Sequence, residues 1–211
     1  MSILNEISEF LQKGRSPKVK ELVNQAIADG IDAEKILEEG LLSGMSVIGE
    51  KFKNNEVFVP EVLIAARAMN AGVEILKPYL KAADVKNKGV AVIGTVKGDL
   101  HDIGKNIVKM MLEGKCIEVV DLGVDVSAEQ FVAAAIENKA NLICCSALLT
   151  TTMNEMQRVV EKAKEAGIRD QVKILVGGAP VTQSFCDSIG ADCYTSDASS
   201  CADAAVAFCR A

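Results

Sequence analysis

The chain has 211 residues, 49% of them hydrophobic, and a formal net charge of −6 from 23 basic and 29 acidic side chains. That length suits two small domains, and an acidic excess in both halves argues against nucleic acid or an anionic membrane surface as a partner. No apolar run approaches the roughly 18 residues of a membrane-spanning helix, and the amino terminus lacks a basic region followed by an apolar core, so the chain is expected in the cytoplasm.

Residues 1–84 read as a four-helix bundle. Ile3, Ile7, Phe10 and Leu11 form the first apolar stripe. Ser16-Pro17 reads as an N-cap followed by proline at the first helical position, and Gly30 closes that second helix. Asp32 is expected to cap a third helix reaching about Phe52, with Ile36, Leu37, Leu41, Met45 and Ile48 on one side. Gly40 and Gly44 lie one turn apart in it, which points to close helix contact. A fourth helix from Pro60 places Val62, Ala66, Met69, Val73, Leu76 and Leu80 along a seam, and Pro78 bends or stops it. The charged stretch Ala82–Lys88 is expected to be linker and hinge.

Residues 85–211 alternate strand and helix five times. The strands are Gly89–Ile93, Ile117–Leu122, Asn141–Cys145, Val172–Val176 and Asp192–Thr195. Their helices begin after Gly104 and near Ala128, Met153, Thr182 and Ala198, with Phe131, Ala135 and Ile136 of the second pointing inward. Strand-helix alternation with right-handed crossovers gives an α/β domain, a Rossmann or flavodoxin-like five-stranded parallel sheet with helices on both faces. In strand order 2-1-3-4-5 a ligand belongs at the carboxyl ends of the strands, between the first and third.

His101 is the one histidine of the chain, and it lies in the loop between Gly98 and Gly104 with Asp99 two residues before it. A lone imidazole can ligate one metal centre but cannot share a zinc site with other histidines. With no Cys-x-x-Cys pair at zinc spacing, the remaining ligands of any metal must come from a cofactor. Asp99 is close enough in sequence to accept the other imidazole N–H and fix the tautomer. The seven cysteines read as reduced core residues. A Cys144/Cys145 redox or metal pair is disfavoured because neighbouring strand residues point to opposite faces.

Asp99-x-His101-x-x-Gly104, then Ser146-x-Leu148, then Gly177-Gly178 together resemble the three-part signature of cobalamin-binding domains. The likeness is strongest to the corrinoid proteins of methyltransferase systems and to the matching modules of cobalamin-dependent methionine synthase. The segment from Val57 to Met69 resembles the helical cap of the same family, so the resemblance covers nearly the whole chain.

The resemblance implies cobalamin bound with its own base displaced and His101 as the lower ligand of cobalt. Asp99 and Thr152, a hydroxyl residue six positions after Ser146, would extend that ligand into a relay. Thr152 also reads as the N-cap of the helix at Met153. Gly98, Asp102, Ile103 and Gly104 would complete the loop against the cofactor. Ser146, Leu148, Gly177 and Gly178 would line a slot for its tail, and Thr150 would reach the corrin side amides. Phe58, Val62 and Met69 would lie over the upper face of the ring. The chain would then be a methyl carrier with no turnover of its own. Its partners would be a substrate-specific methyltransferase that loads it, a second methyltransferase that unloads it onto tetrahydrofolate or a thiol, and a reductive activase. The competing readings are a cobalamin-sensing regulator, which would need an output element, the cobalamin module of a radical mutase, which carries a barrel in place of the bundle, and a flavodoxin-like domain without a cofactor.

Overall fold

The computed structural model describes residues 2–76, 78–79 and 89–210. The chain divides into two compact units, Met1–Lys86 and Asn87–Ala211. The expected hinge Ala82–Lys88 and the last seam residue, Leu80, lie outside the described residues.

The first unit is helical. α1 (Ile3–Gln12) starts under Ser2, whose hydroxyl accepts the N–H of Asn5, the usual way a helix satisfies an otherwise unpaired first-turn donor. α2 (Ser16–Ala28) follows. The third stretch runs without interruption through α3 (Ala33–Lys35), a π-helical segment (Ile36–Leu42) and α4 (Ser43–Lys53). α5 (Val59–Leu76) completes the unit, and Pro78 lies in the turn beyond it. Two expected caps are not made. Ser16 is already the first helical residue, behind Arg15, and no side-chain bond caps α2; Asp32 precedes α3 without a side-chain bond to it. The π-helical turn was not legible in the sequence. Its wider winding turns Ile36, Leu37, Gly40, Leu41 and Leu42 inward together.

The glycines of this unit mark where helices touch. A methyl group on Gly40 would sit 3.2 Å from the Ile7 side chain, and one on Gly44 would sit 3.0 Å from the Ser8 carbonyl oxygen. Gly72 likewise lies against Leu41 and Val19. Val62 and Met69 are on the same buried face of α5 as Gly72 and Leu76. Of the three residues expected to lie over a cofactor, only Phe58 is solvent-exposed, at 65%. Helical spacing accounts for the difference, because the seam that packs α5 against its neighbours takes up Val62 and Met69.

The second unit is built on five parallel strands: β1 (Val90–Thr95), β2 (Glu118–Asp121), β3 (Leu142–Ser146), β4 (Lys173–Gly177) and β5 (Cys193–Tyr194). Their order is β2-β1-β3-β4-β5. The helices between them are α6 (Ile103–Glu113), α7 (Ala128–Glu137), α8 (Asn154–Glu165), α9 (Gln183–Ile189) and α10 (Ala198–Arg210). Alternation along the strands sends Val92, Ile143, Cys145, Ile174 and Val176 into one core with Phe131 and Val132 of α7 and Met156, Val159 and Val160 of α8. Ile136 of α7 is exposed, contrary to expectation, and Val132 takes the inward place, since 131, 132 and 135 share the narrow helix face that meets the sheet. Among the described residues, no helix is long and apolar enough to cross a membrane.

Register sets the functional edge. Thr95, Ser146 and Gly177 are aligned across β1, β3 and β4, so the three sequence motifs leave the sheet side by side. The chain runs outward from β1 to β2 on one flank and through β3 to β5 on the other. This is the reversal at which a crevice opens in such sheets.

Candidate functional site

Asp99 organises the edge. Its side chain is fully buried and gathers donors from two loops. On one side, Oδ1 accepts the backbone N–H of His101 at 3.1 Å and meets the imidazole Nδ1 at 2.7 Å. On the other side, Oδ2 accepts the N–H groups of Leu148 at 2.8 Å and Leu149 at 3.1 Å. The Thr152 hydroxyl lies 3.0 Å from Oδ2 and 2.9 Å from the Leu149 carbonyl oxygen, and its single proton serves one acceptor at a time. Sequence separations of 49, 50 and 53 residues are thus closed on one carboxylate.

Burial alone pushes the Asp99 carboxyl pKa up. The N–H of Leu148, the ring and N–H of His101 and the N–H of Leu149 outweigh it and hold the group well below the usual carboxylate range. An ionised Asp99 accepts, so Nδ1 carries the ring proton and Nε2 keeps its lone pair. Among the described residues nothing bonds Nε2, and the imidazole is half exposed.

Further bonds brace the loop that carries His101. Thr95, fully buried at the end of β1, donates its hydroxyl to the His101 carbonyl oxygen at 2.8 Å. The segment after β2 is stitched alongside: Thr95 N–H donates to Gly123 O, Val126 N–H to Thr95 O and Asp125 N–H to Asp99 O. The Asp125 carboxylate accepts the N–H of Gly98 at 2.7 Å. Gly98 has a φ of 80°, a conformation that suits glycine. Sequence reasoning missed Thr95, Leu149 and Asp125. The first strand was expected to end at Ile93, which left Thr95 in the stretch beyond it, whereas β1 runs on to Thr95; the signal available was a β-branched hydroxyl residue continuing an apolar strand.

The remaining expected residues divide. Asp102, Ile103 and Gly104 are exposed beside His101, and a methyl group on Gly104 would meet nothing within 4 Å. Ser146 is partly buried, Leu148 exposed at the rim, and Thr150 exposed in the same loop. Thr152 does not cap α8. Met153 occupies that position without a side-chain bond, because the Thr152 hydroxyl is turned toward Asp99 and Leu149. Gly177 and Gly178, equivalent in the sequence, differ in space. A methyl group on Gly177 would approach only the Thr195 carbonyl oxygen, at 3.8 Å, whereas one on Gly178 would sit 1.8 Å from the Ala147 carbonyl oxygen. Gly178 is therefore required by contact with the protein's own neighbouring loop.

The surface suits a large flat ligand that needs one axial nitrogen. Among the described residues of this unit, the exposed large apolar side chains other than Ile136 are Leu100, Ile103, Val124, Leu148 and Leu149. All five belong to the His101 loop or to loops bonded to Asp99. An apolar patch that interrupts an otherwise polar surface marks a binding site. Here it lies on the loops that carry and brace a half-exposed imidazole, and a methyl group on Gly177, at the same sheet edge, would meet only the Thr195 carbonyl oxygen. No group of three or more metal-ligating side chains occurs among the described residues.

Comparison with known proteins agrees with this geometry. The B12 binding domain family matches residues 89–204, and a second family, also described as a B12 binding domain, matches residues 3–77. The chain is 49% identical to trimethylamine corrinoid protein 1 of Methanosarcina acetivorans over 82% of each chain. It is 45% identical to dimethylamine corrinoid protein 3 of the same organism, over 93% of this chain and 92% of that one. Among solved structures, the methanol:cobalamin methyltransferase complex MtaBC of Methanosarcina barkeri superposes with a TM-score of 0.86 at 33% identity, covering 99% of this chain and 80% of that one. A helical unit ahead of a five-stranded parallel sheet, the Asp99-His101 loop at its switch point and matches over both units establish that the chain belongs to the B12-binding corrinoid proteins of methyltransferase systems.

Proposed function

We propose that the protein carries cobalamin with the cofactor's own base displaced and His101 Nε2 as the lower ligand, and that it passes a methyl group from one methyltransferase to another. The observation that supports this most directly is the Asp99–His101 contact of 2.7 Å, which leaves Nε2 as the outward lone pair. The bound cobalt would supply the centre that accepts and releases the methyl group.

The protein's part is to hold, orient and shield. Asp99 fixes the imidazole tautomer, and the Thr152 hydroxyl braces Asp99 from behind. Gly98, Asp102, Ile103 and Gly104 form the loop facing the ring, with Leu148 and Thr150 opposite. Ser146 and Gly177 border the lane for the tail, and Gly178 keeps that lane open by letting β4 end close to Ala147. Phe58, exposed on the helical unit, is the residue of that unit to test for an effect on cofactor binding. The names of the relatives make methylated amines the first donors to test.

Since the chain has a single histidine, labelling histidine with nitrogen-15 labels this site alone. Electron paramagnetic resonance of the Co(II)-loaded protein is expected to change from the three-line splitting of nitrogen-14 to the two-line splitting of nitrogen-15. An unchanged spectrum would remove His101 as the ligand.

A further inference from the structure

We infer that Thr95 is a positioning residue for the lower ligand: its hydroxyl tethers the His101 carbonyl, and that tether, together with Asp99, sets where Nε2 stands. The inference rests on the reading of His101 as the axial ligand.

His101 lies in a loop without regular structure and is held at three points. Two of them, its backbone N–H and its Nδ1, end on the same oxygen, Asp99 Oδ1. Those two bonds fix the ring against the carboxylate but do not reach the carbonyl of the His101–Asp102 peptide. The third bond, from Thr95 Oγ1 to the His101 carbonyl oxygen at 2.8 Å, fixes that peptide just before α6 begins at Ile103.

Thr95 is itself a rigid reference point. It is fully buried and aligned with Ser146 in the sheet. Its N–H and carbonyl are both bonded to the segment after β2. The preceding residue packs closely on α7, where a methyl group on Gly94 would lie 2.8 Å from the Phe131 ring. A donor fixed to this degree pre-orders the ligand before it binds, which lowers the entropy lost on coordination. If the hydroxyl merely satisfied its own hydrogen bond, removing it would lower stability but leave the ligand balance untouched.

The test compares Thr95→Val, which keeps the shape and removes the donor, with Thr95→Ser, which keeps the donor. Each full-length protein is labelled with nitrogen-15 histidine, loaded with cobalamin and reduced to Co(II). The ratio of His-bound to His-free cobalt is then read from the nitrogen splitting in the paramagnetic resonance spectrum. One neutral hydrogen bond has a net worth of about 1 kcal/mol, so Thr95→Val is expected to lower that ratio about fivefold at unchanged cofactor content, with Thr95→Ser close to wild type. Should Thr95→Val not fold, Thr95→Cys replaces it, matching serine in size with a much weaker donor. A wild-type ratio in the donor-free variant, or an equal loss in Thr95→Ser, overturns the assignment of Thr95 alone. Absence of any histidine-dependent splitting in the wild type overturns the axial role of His101 and this inference with it.

Discussion

Substituting alanine separately for Gly177, the last residue of β4, and Gly178 beyond it should have unequal effects on the protein without cofactor. At Gly178 the backbone has a φ of 132°, and the added carbon would lie 1.8 Å from the Ala147 carbonyl oxygen. Contact at that distance with backbone requires the loop after β3 to move, and this loop carries the Leu148 and Leu149 N–H groups that hold Asp99. A non-glycine residue in a glycine-only backbone region costs about 1–3 kcal/mol, and overpacking against an immobile neighbour adds about 1–2 kcal/mol. The expected loss is about 2–5 kcal/mol, a large part of the 5–15 kcal/mol typical of a domain. At Gly177 the added carbon meets only the Thr195 carbonyl oxygen at 3.8 Å, an ordinary contact, so the change should be within about 0.5 kcal/mol. Urea titration of both apo variants, followed by circular dichroism, measures this. With a slope of about 2 kcal/mol per molar, Gly178→Ala should move the midpoint of the sheet unit down by about 1–2.5 M, and Gly177→Ala should leave it in place. Titration with cobalamin should then show Gly177→Val, stable but with a filled lane, losing affinity. Equal midpoints for the two alanine variants would refute the reasoning that separates them.

Replacing Asp99 with Asn turns one acceptor oxygen into a donor facing at least two N–H groups. At about 1–3 kcal/mol for each of two unsatisfied buried donors, apo stability should fall by about 2–6 kcal/mol. The pH profile gives a second check. The folded pKa of Asp99 is lowered, so the unfolded chain binds more protons in the acid range and wild-type stability must rise with pH there. This contribution is complete above the ordinary aspartate pKa of about 4 and is lost as the pH falls toward the lower folded value. Asp99→Asn should flatten that slope, and parallel profiles would show that the carboxylate is not the linked group. Finally, burial pushes the Cys145 thiol up to about 12. The Cys201 thiol beside Cys144, and then burial, push Cys144 up as well. Iodoacetamide at neutral pH should label the partly exposed Cys116, Cys193 and Cys209 before Cys144 and Cys145, as peptide mass spectrometry would detect; early labelling of Cys145 would contradict the packing described.

Hydrophobic periodicity was enough to read the helical unit, the five strands and their parallel order, because these features are local or follow from chain handedness. The motif Asp99-x-His101 was legible for the same reason, since its two residues are near neighbours in the chain. That His101 cannot share a zinc site with other histidines was legible too, because it required only counting a single histidine. What it could not separate were positions alike in type and different in surroundings. Val62, Met69 and Phe58 share a helix or its approach, yet only Phe58 faces solvent; Gly177 and Gly178 are adjacent, yet only one presses on Ala147; Ser16 and Asp32 stand where caps belong and make none. The burial of Thr95 and the convergence of Leu148, Leu149 and Thr152 on Asp99 depend on how β1 and β3 align across some 50 residues of intervening chain. Periodicity along one strand carries no information about the register between two strands, and that register is what assembles the donors that keep Asp99 ionised and His101 in place.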